Sequence, residues 1–217
     1  MARLLPRMLT RFDLPEAELS AARLDGELFA LDECYWPTDT FEGPHERAAS
    51  LRAILPPRLI AERMTAAWIY GAISCPPTPL EVCSDTAARY RSVALSRCDI
   101  REVVLDQGDV VWLGGLAVTS PARTILDIAR CAGVFGAVER AVVSRVAAAA
   151  GVEIEAVIAA LRSRRHLPGK LATLGRLDEA RGLEAGPFAT LGAGTFAALE
   201  PGTFAALEPG VQPALTR

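Results

Sequence analysis

The stretch that decides the fold runs from Gly114 to Arg130 and reads GGLAVTSPARTILDIAR. Two glycines precede the apolar run 116–119, a pattern typical of a tight turn that leads into a short strand. Ser120 or Thr119 is a good N-cap, and Pro121 at the first helical position loses no needed hydrogen bond. The sequence therefore predicts a strand that turns directly into a helix.

The predicted helix separates apolar from charged positions. Its buried face is supplied by four aliphatic residues: Ile125, Leu126, Ile128 and Ala129. Arg123 and Asp127 are four residues apart and are predicted to pair on the surface, a contact worth a few tenths of a kcal/mol. This structural interpretation explains nearly every residue of the stretch. The alternative is that Arg123 and Arg130 contribute to a partner-binding surface.

The charge of the chain is unevenly distributed. Of its 217 residues, 51% are hydrophobic and 23% are charged, as in an ordinary soluble globular protein. The net charge is −3, but residues 1–50 hold ten acids and five arginines, whereas residues 51–181 hold thirteen acids and seventeen bases. The sequence thus has an acidic front of net charge −5 and a basic middle of net charge +4.

The cysteines indicate a reducing compartment. The chain has 5 cysteines, an odd number, and no CxxC pair. With no signal peptide in view, they are predicted to be reduced thiols of a cytoplasmic protein. A zinc site made of Cys75, Cys83 and Cys98 is a much weaker alternative, and no cofactor or metal is expected. The most apolar later stretch, 142–161, contains charged residues, so no membrane span is predicted.

The first 43 residues are interpreted as a vestigial winged-helix-like segment. A short helix begins near Pro15, with Asp13 as its cap, and stops at Asp25-Gly26. The runs ELFAL (27–31) and CYWPTD (34–39) then predict two small strands. A helix followed by a two-stranded wing makes half of a winged helix.

Residues 44–181 are predicted to form one α+β domain. Its predicted helices cover Glu46–Leu55 and Arg58–Tyr70, and then 121–132, 136–149, 153–165 and 170–181. Valine-rich segments at 80–84, 91–97, 100–105, 109–113 and 116–119 predict a small antiparallel or mixed sheet. The fold class is therefore α+β, with a sheet packed by helices and a helical C-terminal part.

The tail, residues 182–217, is an octapeptide repeat. From Gly186 it reads GPFATLGA, GTFAALEP, GTFAALEP and GVQPALTR, and the second and third units are identical. Eight residues with glycine and proline cannot bury a face, so the tail is predicted to be disordered. A docking peptide is the alternative.

Several stretches resemble the AbiEi-family antitoxins, the regulator half of bacterial type IV toxin–antitoxin pairs. VTSPARTILDIAR (118–130) is similar to the family's T-x-x-R-T-x-x-D-L-A run after a glycine-bearing strand. AERMTAAWIYGA (61–72), ARLDGELFALDECYWPTD (22–39) and ALRSRRHLPGKLATLGRLDEA (160–180) resemble further parts of the family in the same order. The resemblance covers about residues 10–181.

The resemblance implies a cytosolic protein that opposes a nucleotidyltransferase-like toxin encoded beside it and binds its own operator through a winged helix. This chain departs from the pattern, because its winged helix is truncated and acidic, and because no nuclease domain follows the helical part. An acidic segment repels the DNA phosphates, so DNA binding by the front is in doubt.

The candidate contacts for a partner or for DNA are basic residues of the middle: Arg123, Arg130, Arg162, Arg164, Arg165 and Lys170. Four of them lie in RSRRHLPGK (162–170), where basic residues near a helix C-terminus also simply suit the helix dipole. Neither histidine belongs to a recognisable catalytic motif, and His45 is interpreted as a solvated loop residue. The predicted function is an antitoxin and regulator that binds; the alternatives are a protein-interaction remnant of that family and, less favoured, an orphan enzyme.

Overall fold

A computed structural model describes residues 6–88, 90, 96–164 and 167–182. Three predictions therefore lie wholly or partly outside the described residues. They concern the strand at 91–97, the site residue Arg165 and the octapeptide tail.

The front of the chain forms one helix and one hairpin. Helix α1 is Glu16–Leu24, and the strands β1 (Leu28–Leu31) and β2 (Cys34–Pro37) pair antiparallel. Leu9 adds an isolated antiparallel bridge to Tyr35. The helix and the two strands are confirmed where the sequence predicts them, whereas their assignment to a winged helix stays a prediction.

The second sheet has five strands and mixed directions. They are β3 (Ile60–Ala61), β4 (Leu80–Asp85), β5 (Cys98–Val103), β6 (Val110–Leu113) and β7 (Leu116–Thr119), in the spatial order β5-β4-β3-β7-β6. The pairs β3–β7 and β4–β5 are parallel, and β3–β4 and β6–β7 are antiparallel. The sheet is thus the mixed alternative of the prediction, and the α+β fold class is confirmed.

The described residues hold six further α-helices, which pack on the sheet or on one another. Helices α2 (Pro44–Arg52) and α3 (Arg63–Ile69) flank β3, and four helices follow β7: α4 (Pro121–Cys131), α5 (Ala137–Ala150), α6 (Ile154–Ser163) and α7 (Lys170–Arg181). Each of the last four begins within one residue of its predicted start. None of the helices within the described ranges is long and apolar enough to cross a bilayer.

The predicted helix over Arg58–Tyr70 is wrong in its first half. Ile60 and Ala61 form strand β3, which pairs with β4 on one side and β7 on the other, and α3 begins only at Arg63. A two-residue strand is too short to show the alternation by which strands are recognised. The loop placement of His45 is also wrong, because α2 begins at Pro44.

One main core joins the sheet to the helices and continues into the hairpin. Leu31 and Trp36 of the hairpin belong to the same cluster as Val82, Val118 and Ile125. The indole Nε1 of Trp36 also donates to Ser50 Oγ at 3.1 Å. The predicted boundaries at residues 43 and 181 stay predictions, but the hairpin is packed against the rest of the domain.

Candidate functional site

The glycine pair before β7 is required by a close approach of helix α2. Gly114 has φ +53°, and a Cβ at this position would lie 2.3 Å from the carbonyl oxygen of His45 and 2.8 Å from the amide nitrogen of Ala49. The Gly114 N–H donates to His45 Nδ1 at 3.3 Å. No other residue fits this turn without moving α2 away from the sheet.

The start of α4 is built as the sequence predicts. Ser120 Oγ accepts the N–H of Arg123 at 3.4 Å, and Pro121 occupies the first turn. The hydroxyls of Thr119 and Thr124 lie 2.7 Å apart and are both fully buried. The strand-to-helix turn is therefore a capped, buried structural element.

The pair of Arg123 and Asp127 forms, but the prediction that it lies on the surface is wrong. The two side chains are only 6% and 1% exposed, and Arg123 Nε donates to Asp127 Oδ2 at 2.7 Å. Arg123 also pairs with Asp109 and donates to the carbonyl oxygen of Val104 at 3.2 Å. The β5–β6 connection covers this side of α4 and supplies the second carboxylate, so Arg123 is held inside the domain.

The Arg123–Asp127 pair is one end of a larger set of internal ion pairs, here called the buried ion-pair network. Its members are Glu62, Arg63, Arg101, Asp109, Arg123 and Asp127. Arg101 connects the two halves, because its Nη2 lies 2.7 Å from Glu62 Oε2 and 3.7 Å from Asp127 Oδ2. The network thereby ties β3 and β5 to α4.

Glu62 is the most buried charge of the network. Its side chain is 0% exposed and lies 3.1 Å from Arg63 as well as 2.7 Å from Arg101. Burial lowers the pKa of Arg101, but the hydrogen bond and the charge of Glu62 outweigh burial and raise that pKa above its usual value. The guanidinium of Arg101 therefore stays charged inside the domain, where the carboxylate of Glu62 pairs with it.

Sequence analysis missed this network, although a signal was present. Glu62 and Arg63 are adjacent charges inside the apolar run LIAERM (59–64). Both follow the internal strand β3 directly, Glu62 as the N-cap of α3 and Arg63 as its first residue. Asp127 Oδ1 is buried without a hydrogen-bond partner among the described residues, a desolvation cost that the ion pairs of Asp127 Oδ2 have to offset.

The predicted basic residues of the α6–α7 connection are brought together. Lys170 Nζ donates to the carbonyl oxygens of Arg162 at 2.7 Å and Arg164 at 2.6 Å. Arg164 forms an ion pair with Asp106 at 3.2 Å, and Arg162 is exposed. Lys170 thus caps the end of α6, while Arg162 and Arg164 present cationic groups at the surface.

The remaining candidates lie apart or behind this surface. Arg130 is exposed in the last turn of α4. Arg123 and Arg164 line the same groove of about 260 Å³ between α4, α6 and the turn at 107–109, although Arg123 reaches it only from inside. The structure therefore leaves Arg130, Arg162 and Arg164 as the accessible cations among the described candidates.

The cysteines and histidines do not assemble into a metal site within the described ranges. There, no group of three or more His, Cys, Asp or Glu side chains could hold a metal ion. Burial, followed by the charge of Glu62, raises the pKa of Cys83. Burial, followed by the charge of Asp32, raises the pKa of Cys34 to about 11. Both of these thiols are therefore protonated at neutral pH and are poor metal ligands or nucleophiles.

Replacement of Lys170 by Met tests its capping role. Loss of two charge-assisted bonds to the end of α6 is expected to lower the free energy of unfolding by about 1–2 kcal/mol. The exposed Arg162 is the control, because Arg162→Ala should change stability by less than about 0.5 kcal/mol. Urea unfolding followed by circular dichroism measures both. Equal, negligible effects of the two substitutions would show that Lys170 is a solvated surface residue.

Comparisons with known proteins define the class of this chain. Residues 60–174 match the family described as the AbiEi antitoxin C-terminal domain, so the match spans just over half of the chain. The matched family is a regulatory, non-enzymatic family of antitoxins.

The chain belongs to the AbiEi antitoxin family, which confirms the resemblance of its sequence motifs. A solved structure similar to it is the RV2827C protein from Mycobacterium tuberculosis, at 15% identity and a TM-score of 0.42, with 88% of this chain and 76% of that chain covered. No curated protein matches this sequence.

Proposed function

We propose that this antitoxin acts in the cytoplasm by binding a nucleotidyltransferase-like toxin encoded beside it, through the basic side of residues 51–181. The observation that carries the proposal is the pair of surface arginines at the end of α6, Arg162 and Arg164, within a domain of the AbiEi antitoxin family. The proposed contact residues are Arg130, Arg162, Arg164 and Arg165, and Lys170 supports this surface by capping the end of α6. Arg123 belongs behind them, as a buried positioning residue.

Charge supports this surface. Residues 51–181 have four more basic than acidic residues, whereas residues 1–50 have five more acidic than basic ones. Arginine guanidinium groups bind carboxylates through two parallel hydrogen bonds, which makes them suited to an acidic protein face. The counter-ion of Arg164 is Asp106, whose side chain is 63% exposed, so a partner carboxylate can reach the same guanidinium.

The groove beside Arg164 adds apolar contact to this charge. It is lined by Leu126, Val157 and Leu161 below and by Ala156 and Ala160 at its edge. An acidic partner side chain at Arg164 would thus lie next to a shallow apolar wall. Protein interfaces commonly combine an apolar centre with a polar rim.

Reversal of the two arginines tests the proposal. Arg162→Glu with Arg164→Glu is expected to weaken binding of the purified toxin at least tenfold, because reversed charges repel an acidic face. Arg23→Glu with Arg58→Glu changes the net charge equally at two exposed sites outside α6 and should leave affinity unchanged. Isothermal titration calorimetry at two salt concentrations measures both. Equal affinity of the two double variants contradicts the proposed surface, and no binding by the unaltered chain contradicts the proposed function.

DNA of its own promoter is the second candidate partner. One observation favours this candidate. Arg97 forms ion pairs with the hairpin acids Asp32 and Glu33 and thereby neutralises part of the negative charge of residues 1–50. Fluorescence anisotropy with promoter DNA and a random duplex at two salt concentrations separates the cases. Preferential, salt-sensitive promoter binding supports a regulator, whereas equal weak binding to both duplexes removes DNA from the proposal.

A further inference from the structure

An open cleft of about 380 Å³ lies where α3 begins, α4 ends and α5 begins. Its walls include the apolar Met64, Ile128 and Val134 and the acidic Glu81 and Glu139. None of the basic candidates of the proposed toxin-binding surface lines it. The cleft is therefore a separate surface of the domain.

Among the described residues, two acids and one base line this cleft, and Arg101 reaches its wall at Cys131 Sγ at 2.7 Å. Arg63 is the one basic residue that lines it, and its guanidinium is already within 3.1 Å of Glu62, 3.4 Å of Glu81 and 2.9 Å of Asp99. Three carboxylates thus pair with the single guanidinium of Arg63. Of the three, only Glu62 also pairs with a second arginine, Arg101. An excess of negative charge remains at this wall.

Glu139 and the end of α4 add to that excess. Glu139 accepts the N–H of Gly136 at 2.8 Å and forms no ion pair with a described residue. Cys131, Ala132 and Gly133, at the C-terminus of α4, also line the cleft. The carbonyl end of a helix carries a partial negative charge and favours a nearby cation. Arg176 already donates to one of these carbonyl oxygens, that of Ala129, at 2.8 Å, which leaves those of Arg130 and Cys131 for a partner.

An exposed apolar rim accompanies the acidic wall. Val134 and Val138 are 81% and 63% exposed, and Val134 lines the cleft itself. Both follow α4 directly, one in the connection to α5 and the other in the first turn of α5. An exposed valine in an acidic cleft, with a second exposed valine four residues later, is suited to a ligand that is both cationic and apolar.

We propose that this cleft binds a partner-protein segment in which a lysine or arginine stands next to an apolar side chain. The cation lies between Glu81, Glu139 and the carbonyl end of α4, and the apolar side chain packs on Val134 and Met64. Charge complementarity selects a basic segment, and the valine rim selects an apolar neighbour. The proposal goes beyond the toxin-binding proposal and does not depend on it, because the two surfaces have opposite charge.

A random library of 12-residue peptides displayed on phage, panned against the full chain, tests this inference. The expected consensus is a lysine or arginine within four positions of a leucine, isoleucine, phenylalanine or methionine. A synthetic peptide of that consensus should bind with an affinity that falls with rising salt. Replacement of its basic residue by norleucine should weaken binding at least tenfold, a change that leaves the folding of the protein untouched.

A pair of matched valine variants tests whether the peptide binds in this cleft. Val134→Ser is expected to weaken peptide binding about tenfold, because the apolar surface of the valine is buried on binding and contributes to affinity. Val104, which is 70% exposed and does not line the cleft, is the control, and Val104→Ser should change nothing. Lack of enrichment, enrichment of acidic or purely apolar peptides, or equal effects of the two variants would overturn the inference.

Discussion

Arg123→Ala is expected to lower the free energy of unfolding by about 3–5 kcal/mol, as removal of one partner from a buried ion pair does. The arginine is 6% exposed and holds two acids, Asp127 at 2.7 Å and Asp109. Its loss leaves both carboxylates inside the domain with one cation fewer. The effect should also release the β5–β6 connection, which Arg123 holds through the carbonyl oxygen of Val104.

Arg130 provides the control on the same helix. It is exposed, and Arg130→Ala is expected to change stability by less than about 0.5 kcal/mol. Arg123→Lys should lie between the two, because lysine keeps the charge but loses the planar fork that reaches two acids. The urea concentrations at the midpoints of unfolding rank the stabilities of the three variants. Equal midpoints for Arg123→Ala and Arg130→Ala would mean that Arg123 is solvated in solution.

Gly114→Ala is expected to have the second large effect, a loss of about 2–5 kcal/mol from left-handed strain and overpacking together. The new methyl group would meet backbone, the carbonyl oxygen of His45 at 2.3 Å and the amide nitrogen of Ala49 at 2.8 Å. Backbone cannot rotate away as a flexible side chain does, so α2 has to shift from the sheet.

Gly108 is the control that separates the cost of a left-handed backbone conformation from the cost of a steric clash. It has φ +89°, and a Cβ there would meet nothing within 4 Å. Gly108→Ala should therefore show only the conformational cost, about 1–2 kcal/mol. Thermal unfolding of both variants measures the difference. A Gly114→Ala variant no less stable than Gly108→Ala would contradict the packing of α2 on this turn.

The sequence is sufficient to predict the turn from β7 into α4, because every signal there is local. Glycines, an N-cap and a first-turn proline act within a few residues of one another. The same holds for α5, α6 and α7, whose aliphatic spacing alone places them. Strand β3 is different, since two residues between a turn and a helix carry no periodic pattern, and only their partners in β4 and β7 define them.

The position of Arg123 could not be predicted from periodicity. Arg123 through Asp127 to Ala129 is a run of consecutive buried residues, so α4 has little free surface in its middle. Charged residues in a helix are ordinarily expected outside, because burying an ion is costly unless it is paired. Here the second acid is Asp109, in another element, and Glu62 and Arg101 continue the pairing across the sheet. Such compensation is visible only in three dimensions.

The place of the basic run in the fold follows from the sequence, whereas its role as a binding surface stays a prediction. The run RSRRHLPGK (162–170) identified the α6–α7 connection, and the structure places Arg162 and Arg164 there with Lys170 beneath them. The sequence could not show that Lys170 caps a helix while Arg162 is exposed, because both are basic residues near a helix end. That distinction depends on where Lys170 Nζ lies, which is against two backbone carbonyls.

The most direct test of the central proposal is growth rescue by this chain in cells that express the proposed nucleotidyltransferase-like toxin. The unaltered chain is predicted to restore growth, the Arg162→Glu, Arg164→Glu variant to fail, and the Arg23→Glu, Arg58→Glu variant to rescue fully, at equal protein levels. Full rescue by the Arg162→Glu, Arg164→Glu variant would contradict an antitoxin that acts through the basic surface of α6.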